Sequence, residues 1–337
     1  AQVAASHGRI LTVHKRALSK YSGSYPIIPF FDRPHNLKAL DEILSIALET
    51  GVRLQISHLI FAGKKSWSTA QKAVRLIEKA RNKGLEVMFD IYPHFCGNSY
   101  LTVFLPAWFM KDLDGNLKNA KAIRRLRIEL RLAKFLLGFS IADIQIMQAG
   151  YPEGEAYNGL NIAEIAEREG IDPVGAFLKI IEKSGGKALQ LTYGYSGDNT
   201  HEQHVENLMA HELCLFETDT ILKSSGFANP ASYGAFPRIL GRFVRDKNVL
   251  SLVEAVSKMT GRTARWMGIA QRGEIQPGNF ADIVIFDPDT IADNTTIKET
   301  AQHPTGIETV FINGEKVVEN GKYIRNKKTG RVVRYRG

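Results

Sequence analysis

Cysteine is scarce in this sequence, and long apolar runs are missing from it. The 337 residues include only two cysteines, Cys96 and Cys214, which are too few for a disulfide framework or a zinc ribbon. No run approaches the ~20 consecutive apolar residues of a membrane-spanning helix, and no signal-peptide pattern opens the chain. We therefore expect a cytoplasmic protein that has no membrane partner.

Charge of one sign is also not concentrated enough to indicate nucleic-acid binding. Lys plus Arg number 44 against 35 for Asp plus Glu, a net charge of +9, which over this length supports only weak attraction to polyanions. The basic stretch at 118–134 has too few aromatic residues for base stacking and is typical of a solvated helix face. We expect no nucleic-acid partner.

Short β-rich runs alternate with helical runs over the first two hundred residues. Strand candidates end near His14, His58, Tyr92 and Asp219, and a helix between the first two is expected to be capped by Asn36. This alternation predicts parallel strands joined by helical crossovers. The first two spacings each fit one unit of a (β/α)8 barrel, which takes roughly 31 residues.

Two further regions depart from this alternation. The long gap before Asp219 predicts an insertion at about 101–210, in which the apolar spacing indicates several helices. From Gly278 onward the chain has short β runs and tight turns, and Asn313-Gly314 is a hairpin signal. We expect residues 1–277 to form the main α/β unit and residues 278–337 a small β unit.

His14, His58 and Asp219 are the main candidates for chemistry. In a parallel barrel the catalytic groups lie at the C-terminal ends of the strands. Neutral imidazoles and a carboxylate can bind Zn²⁺, and a nearby carboxylate can transfer a proton to and from water. A histidine at a strand end is more often structural, and the residues alone leave the two interpretations about even.

Several segments match one enzyme family in order along nearly the whole chain. They are Leu11-Thr-Val-His-Lys-Arg16, Gln55-Ile-Ser-His-Leu59, Phe89-Asp-Ile-Tyr-Pro93 with Gly97, Gly234-Ala-Phe-Pro-Arg-Ile-Leu-Gly241, Arg272-Gly-Glu-Ile-Gln-Pro-Gly278 and Phe280-Ala-Asp-Ile-Val-Ile-Phe-Asp287. With them the sequence resembles the N-acyl-D-amino-acid deacylase (D-aminoacylase) branch of the amidohydrolase superfamily. The resemblance implies an α/β fold, the C-terminal portion of a TIM-like (β/α)8 metallo-hydrolase barrel (strands five to eight) with a small β-sandwich tail.

The resemblance also implies a role for each candidate residue. His14 and His58 would be the metal ligands of barrel strands five and six, and Asp219 would be the carboxylate of strand eight, a metal ligand and the general base and acid. Tyr92, with Asn98 and Ser99 on the following loop, would hold the substrate. One or two zinc ions would be bound.

Three departures from the family pattern affect what can be expected. The family's first-strand His-x-His pair is not among these residues, and the chain begins without Met. We therefore expect the protein to begin upstream, or its missing half to come from another chain, and this segment alone to be inactive. The family's carboxylate-binding Lys and Arg are replaced by Ile60 and Ala231, and its Ser-Asp-Gly reads Thr218-Asp219-Thr220.

The expected function is metal-dependent hydrolysis of the amide C–N bond of an N-acyl (D-)amino acid or a related compound. Two alternatives stay open: a cyclic amidase of the dihydroorotase or hydantoinase type, and a non-catalytic barrel remnant. The expected partner is a small-molecule substrate, and a homo-oligomer is left open. His94 and Cys96, which follow Tyr92, could reach the site, although a loop histidine is usually solvated.

Overall fold

The structure, a computed structural model, describes residues 1–25, 33–223 and 225–334. Its strands are β1 (Ile10–His14), β2 (Arg53–Ser57), β3 (Val87–Ile91), β4 (Cys96–Tyr100), β5 (Gln145–Gln148), β6 (Leu189–Tyr193), β7 (Cys214–Phe216), β8 (Ile283–Phe286), β9 (Ile307–Ile312), β10 (Glu315–Glu319) and β11 (Lys322–Tyr323). They form three sheets, of which two have four strands and one has three.

The helices are numbered separately. They are α1 (Gln2–Ser6), α2 (His35–Thr50), α3 (Ala70–Arg81), α4 (Ala107–Met110), α5 (Leu113–Lys118), α6 (Ala120–Leu137), α7 (Ile162–Glu169), α8 (Pro173–Lys183), α9 (Gln203–Ala210), α10 (Ala231–Arg238), α11 (Leu252–Met259) and α12 (Gly261–Trp266). A π-helix over Ile239–Asp246 continues α10, and 3-10 turns are also present. No described helix is both long enough and apolar enough to cross a bilayer.

The first sheet contains the predicted candidates. Its order is β1-β2-β3-β7, and every neighbouring pair is parallel. The connection from β1 to β2 contains α2, and the one from β2 to β3 contains α3. Leu54, Ile56 and Phe89 are fully buried, as expected where helices cover a parallel sheet. The predicted mixed α/β architecture is confirmed.

The start of α2 differs from the sequence prediction. The helix begins at His35 after Pro34, and the Asn36 side chain lies within its first turn. There Nδ2 of Asn36 donates a hydrogen bond to Oγ1 of Thr69 at 2.6 Å. The cap prediction was wrong because a tertiary contact uses the side chain that local capping would need. The predicted end is confirmed, since Gly51 adopts a left-handed conformation with φ 67°.

The region between β3 and β7 holds a second core. Alongside the expected helices it contains an antiparallel sheet in the order β4-β6-β5. Leu126, Ile146 and Phe177 are fully buried in the apolar cluster of this region. Asn98 and Ser99 lie on β4, so their predicted placement on a loop was wrong. The β4 sequence is rich in small polar residues that disfavour strands, and its pairing with β6 overrides that local preference.

The last sheet is antiparallel, in the order β11-β10-β9-β8. The predicted hairpin is confirmed: Ile312 pairs with Glu315 across Asn313 and Gly314, both of which have positive φ. That combination is the favoured two-residue turn between antiparallel strands. The division of the chain at residues 277 and 278 stays a prediction.

Candidate active site

His14 and His58 come together at the C-terminal ends of adjacent strands. Because β1 and β2 are parallel and in register, His14 lies opposite Ser57 and therefore beside His58. Nδ1 of His14 faces Nε2 of His58 at 2.6 Å. The ring centroids lie 4.4 Å apart, and the ring planes are inclined by 71°. The structure thus unites the two histidines that the sequence singled out.

Burial keeps both imidazoles neutral. It lowers the pKa of His14, an effect to which the nearby charge of Lys15 adds. For His58, burial first and then the charges of His14 and Lys15 lower the pKa to about 3. A neutral imidazole exposes a nitrogen lone pair, which is the form that binds a metal ion.

The backbone is strained at two of the predicted residues. His58 has a φ of 37° and Asp219 a φ of 44°, which is uncommon for residues other than glycine. Each follows the last residue of its strand by one position or a few. Strain of this kind costs of order 1–3 kcal/mol per residue and is frequent in functional sites.

Asp219 lies three residues after β7 and is exposed to solvent. Partial burial, followed by the negative charge of Asp90, raises the pKa of its carboxyl group. The charge of Asp219 in turn helps to raise the pKa of Tyr92 and of Tyr195. Asp219 is therefore the electrostatic neighbour of Asp90 and of the two tyrosines.

A second pair of carboxyl groups, Asp90 and Glu217, was missed by the sequence analysis. Asp90 on β3 accepts a hydrogen bond from the backbone N–H of His58 at 2.6 Å and another from Nε2 of Gln55. Burial, followed by the charge of Asp90, raises the pKa of Glu217 to about 10, so Glu217 keeps its proton beside Asp90. The available signals were an acidic residue within the otherwise apolar strand β3 and another directly after β7.

Tyr92 lies beneath the site with a hydroxyl group that lacks a partner. The residue is 3% exposed, and its Oη is buried without a hydrogen bond to any part of the chain that the structure describes. Burial raises the pKa of Tyr92 well above its usual value, so the hydroxyl keeps its proton. A Cβ atom at Gly97 would lie 2.2 Å from the Tyr195 ring and 3.0 Å from the Tyr92 hydroxyl, which explains the glycine there.

Asn98 and Ser99 contact the loop after Asp219 and the strand β6, respectively. Oδ1 of Asn98 accepts a hydrogen bond from Nδ2 of Asn229, in the loop that follows Asp219. Ser99 pairs with Gln190 of β6. Within the described ranges their contacts are to the insertion and to that loop, so their role in substrate binding stays a prediction.

The positions of the family's two cationic residues are apolar and buried. Ile60 is 4% exposed and Ala231 is 2% exposed. Near Ile60 lies another cation, because Nζ of the fully buried Lys15 donates a 3.5 Å hydrogen bond to the Ile60 carbonyl oxygen. Burial lowers the pKa of Lys15 to about 7.

His94 is not solvated, contrary to the usual behaviour of a loop histidine. The residue is 7% exposed, and its Nε2 lies 3.0 Å from Oδ2 of Asp293, beside Arg238. Asp293 comes from a segment about two hundred residues away, which explains why the sequence alone did not reveal the pairing.

The donor set is suited to zinc but is partial. Two neutral imidazole nitrogens that face one another are donors that Zn²⁺ prefers, and a catalytic zinc site takes three protein ligands and a water molecule. Among residues 1–25, 33–223 and 225–334, no three His, Cys, Asp or Glu side chains converge as a metal site. The metal-ligand roles of His14, His58 and Asp219 therefore stay predictions.

Comparisons with known proteins identify the family. The profile of the "Amidohydrolase family" matches residues 151–318. The N-acyl-D-glutamate deacylase of Alcaligenes xylosoxydans xylosoxydans is 30% identical over 276 residues, which are 82% of this chain and 47% of that protein. The D-aminoacylase of the same organism is 27% identical over 318 residues, 94% of this chain and 56% of that protein.

A solved structure agrees with these relatives. The N-acyl-D-glutamate deacylase of Bordetella bronchiseptica, crystallised with zinc and a phosphonate inhibitor, superposes with a TM-score of 0.71 at 29% identity. The match covers 94% of this chain and 54% of that one. The chain belongs to the amidohydrolase family. The predicted resemblance to its D-aminoacylase branch is confirmed, and the match is to the C-terminal part.

This amidohydrolase chain spans about half the length of the curated relatives that it matches, 47% of one and 56% of the other. The part it shares with them includes the parallel sheet that holds His14, His58 and Asp219 and the antiparallel tail. The described residues of this chain supply part of a candidate active site. That part consists of two imidazole nitrogens of the kind that bind metal ions, one carboxylate and one buried tyrosine hydroxyl.

Proposed function

We propose that this amidohydrolase hydrolyses the amide C–N bond of an N-acyl D-amino acid or a related compound with the help of zinc. The observation that carries the proposal is the 2.6 Å approach of two neutral imidazole nitrogens at the ends of adjacent parallel strands. In that position, bound zinc would polarise the amide carbonyl group and lower the pKa of a water molecule. Further ligands beyond His14 and His58 would complete the metal site.

The chain's own residues would handle the proton and the substrate. Asp219, whose carboxyl pKa is raised by burial and by Asp90, would take a proton from water and return it to the leaving amine. The protonated hydroxyl of Tyr92 has no hydrogen-bond partner among the residues that the structure describes, and it would donate a hydrogen bond to the substrate. Asn98 and Ser99 would contact the acyl-amino-acid portion.

The substrate class is supported by the relatives and by the acyl chemistry they share. Both curated relatives are named as enzymes acting on N-acylated D-amino acids or on their acidic members. The loss of the cationic residues at Ile60 and Ala231 removes a bidentate Arg–carboxylate contact, the strong way to recognise an amino acid. We therefore expect relaxed recognition of the substrate carboxylate.

A cyclic amidase is the second candidate, and one observation favours it. Cyclic amides such as hydantoins have no carboxylate next to the scissile bond, and the buried, apolar Ile60 and Ala231 suit such a substrate. The third hypothesis is a barrel remnant that has no catalytic activity. A substrate panel separates the first two, and metal content separates both from the third.

The test is zinc content after dialysis, followed by a substrate panel, on the longest natural protein that contains this chain. We expect near-stoichiometric zinc that is lost in His14→Ala and His58→Ala. His201→Ala is the matched control, because the side chain of that histidine is 61% exposed and its ring hydrogen-bonds to the nearby Asp198 and Thr200. N-acetyl-D-amino acids and hydantoins would then be compared. A folded protein without zinc would contradict the proposal and leave the remnant.

Three remaining expectations are part of the same proposal. Residues 1–277 would form barrel strands five to eight of the catalytic domain, with the insertion at about 101–210. Residues 278–337 would form a segment of the small β domain. We propose a cytoplasmic location, and a homo-oligomer is the assembly to test. Size-exclusion chromatography with light scattering measures the last of these directly.

A further inference from the structure

We propose that Asp90, Gln55 and Trp266 form a hydrogen-bonded chain that positions His58, and that all three are positioning residues. The inference rests on the proposed function in one respect, the role of His58 as a metal ligand. This hydrogen-bonded chain begins at α12, passes through side chains of β2 and β3 and ends at the strained backbone of His58.

Asp90 holds the turn that carries His58. Its Oδ1 accepts the backbone N–H of His58 at 2.6 Å, and its carbonyl oxygen accepts the N–H of Leu59 at 2.8 Å. The N–H of Ile60 then donates back to the His58 carbonyl oxygen at 2.7 Å. These three bonds close a tight turn around a residue with a φ of 37°. Without them, His58 would relax towards ordinary strand geometry and its ring would move away from His14.

Gln55 fixes the orientation of the Asp90 carboxylate. Its Nε2 donates to Oδ2 of Asp90, the oxygen that does not contact His58. Gln55 is 1% exposed, so water does not offer an alternative partner. With both oxygens engaged, the carboxylate plane is set, and the direction in which Oδ1 meets the His58 N–H follows from it.

Trp266 fixes the orientation of the Gln55 amide. Its Nε1–H donates to Oε1 of Gln55 at 2.6 Å. Because an indole N–H can only donate, it holds the amide oxygen on its own side and thereby aims the Gln55 N–H at Asp90. If the amide turned over, its oxygen would face the Asp90 carboxylate, and the two acceptors would repel one another.

Trp266, the end of the hydrogen-bonded chain that is farthest from His58, is also held in place. The Arg53 guanidinium lies 4.6 Å from the centroid of the Trp266 ring, and its Nη2 donates to the Trp266 carbonyl oxygen at 3.0 Å. Arg53 and Gln55 lie on the same strand, two residues apart, and so face the same side of the sheet. Arg53 and Gln55 therefore hold Trp266 and Asp90 from one face of β2, and His58 directly follows that strand.

The test compares two tryptophans. Trp266→Phe keeps an aromatic ring and removes the N–H that holds Gln55. Trp67→Phe is the matched control: its Nε1 donates a 3.0 Å hydrogen bond to the Gly194 carbonyl oxygen, which also accepts the N–H of Gly63 at 3.1 Å. This variant therefore loosens the segment from residue 61 onward and leaves the bonds of the His58 turn in place. Gln55→Met, close to isosteric and without hydrogen bonds, is the second variant in case Trp266→Phe fails to fold.

The first readout is amide hydrogen exchange measured by mass spectrometry on peptides that span residues 53–62, with the metal-free protein. We expect exchange at His58 and Leu59 to accelerate roughly 10-fold in Trp266→Phe and Gln55→Met, as for the loss of a hydrogen bond of ordinary strength. Exchange in Trp67→Phe should match the parent there. Equal acceleration in the two tryptophan variants would overturn the proposal.

The second readout is zinc affinity, measured by competition with a chelator. Loss of an outer-shell contact typically weakens metal binding by roughly 10-fold or more, and we expect that loss in Trp266→Phe but not in Trp67→Phe. Unchanged affinity in Trp266→Phe would overturn the positioning role. If the parent protein binds no zinc, the proposed role of His58 as a metal ligand is wrong. The exchange experiment still decides whether the hydrogen-bonded chain from Trp266 to Asp90 holds the turn at His58.

Discussion

The strand-end site and the antiparallel tail both place residues other than glycine in left-handed backbone, but they stabilise it differently. In the tail the residues are three asparagines, Asn313, Asn320 and Asn326, with φ values of 52°, 50° and 67°, of which the first two are each followed by a glycine. Asparagine tolerates this conformation, and the turn type requires it. At the site the residues are His58 and Asp219, which do not lie in a hairpin turn of this kind. The turn at His58 is held by contacts from Asp90 on the neighbouring strand β3.

Both regions also use a carboxylate to hold the turn. Asp90 accepts the N–H of His58 at 2.6 Å, and Asp282 accepts the N–H of Asn313 at 2.8 Å. Asp90 is half-buried and has Gln55 and Glu217 as neighbours, whereas Asp282 is exposed and pairs with Arg272. The same contact should therefore contribute more at the site, where water cannot replace it.

The largest expected difference comes from removing the two carboxylates. In Asp90→Ala, the buried donors of His58 and Gln55 lose their acceptor and the strained turn loses its support, so we expect the free energy of unfolding to fall by about 3 kcal/mol. In Asp282→Ala, water takes over the exposed donor, and a loss of about 1 kcal/mol or less is expected. Urea denaturation measures both. Equal losses would show that the comparison is wrong.

The next effect concerns two lysines. Lys15 is fully buried beside the site, whereas Lys316 forms a surface ion pair with Glu319. Lys15→Met removes a charge that folding must bury, and we expect stabilisation by about 2 kcal/mol at pH 6. Lys316→Met should change stability by about 0.5 kcal/mol or less.

The stabilisation expected in Lys15→Met should also depend on pH, which provides a second test of the buried charge. The unfolded chain keeps the lysine proton up to about 10.5, whereas the folded pKa is about 7. Between these values the unfolded state binds more protons, so this group makes the parent more stable as pH rises. The advantage of Lys15→Met should therefore be greatest below pH 7 and disappear above about 10.5. An advantage that does not change with pH would argue against a buried charge.

The smallest effects on stability are expected from two opposite substitutions, Asp to Asn at the site and Asn to Asp in the tail. Asp219→Asn removes the carboxylate that lies near the negative charge of Asp90, and we expect about 1 kcal/mol of stabilisation with loss of any hydrolysis. Asn313→Asp makes the reverse change in the tail and should destabilise by a few tenths of a kcal/mol. Thermal unfolding of both variants is the measurement. The same sign in both would contradict the comparison.

Several features could be predicted because their causes are local or repeat along the chain. The Asn313-Gly314 hairpin follows from turn chemistry, and the end of α2 follows from Gly51. The closeness of His14 and His58 follows from one topological rule, that parallel neighbours end at the same edge. Their proposed chemistry came from the resemblance rather than from spacing.

Other features depended on contacts between distant segments. Asn36 was expected to cap α2, but Thr69 engages its side chain. His94 was expected to be solvated, but Asp293 pairs with it. Asn98 and Ser99 were placed on a loop and lie instead on a strand formed by pairing with β6. In each case a partner far away in sequence outweighed the local preference.

The sequence by itself determined the alternation of strands and helices, the family and the positions of His14, His58 and Asp219 at strand ends. Those properties follow from the spacing of apolar residues along the chain and from short sequence motifs. Only the tertiary structure decided which groups hold protons and which backbone is strained. The raised pKa of Glu217 beside Asp90 and the hydrogen-bonded chain from Trp266 to His58 arise because three strands and a helix bring those side chains close together.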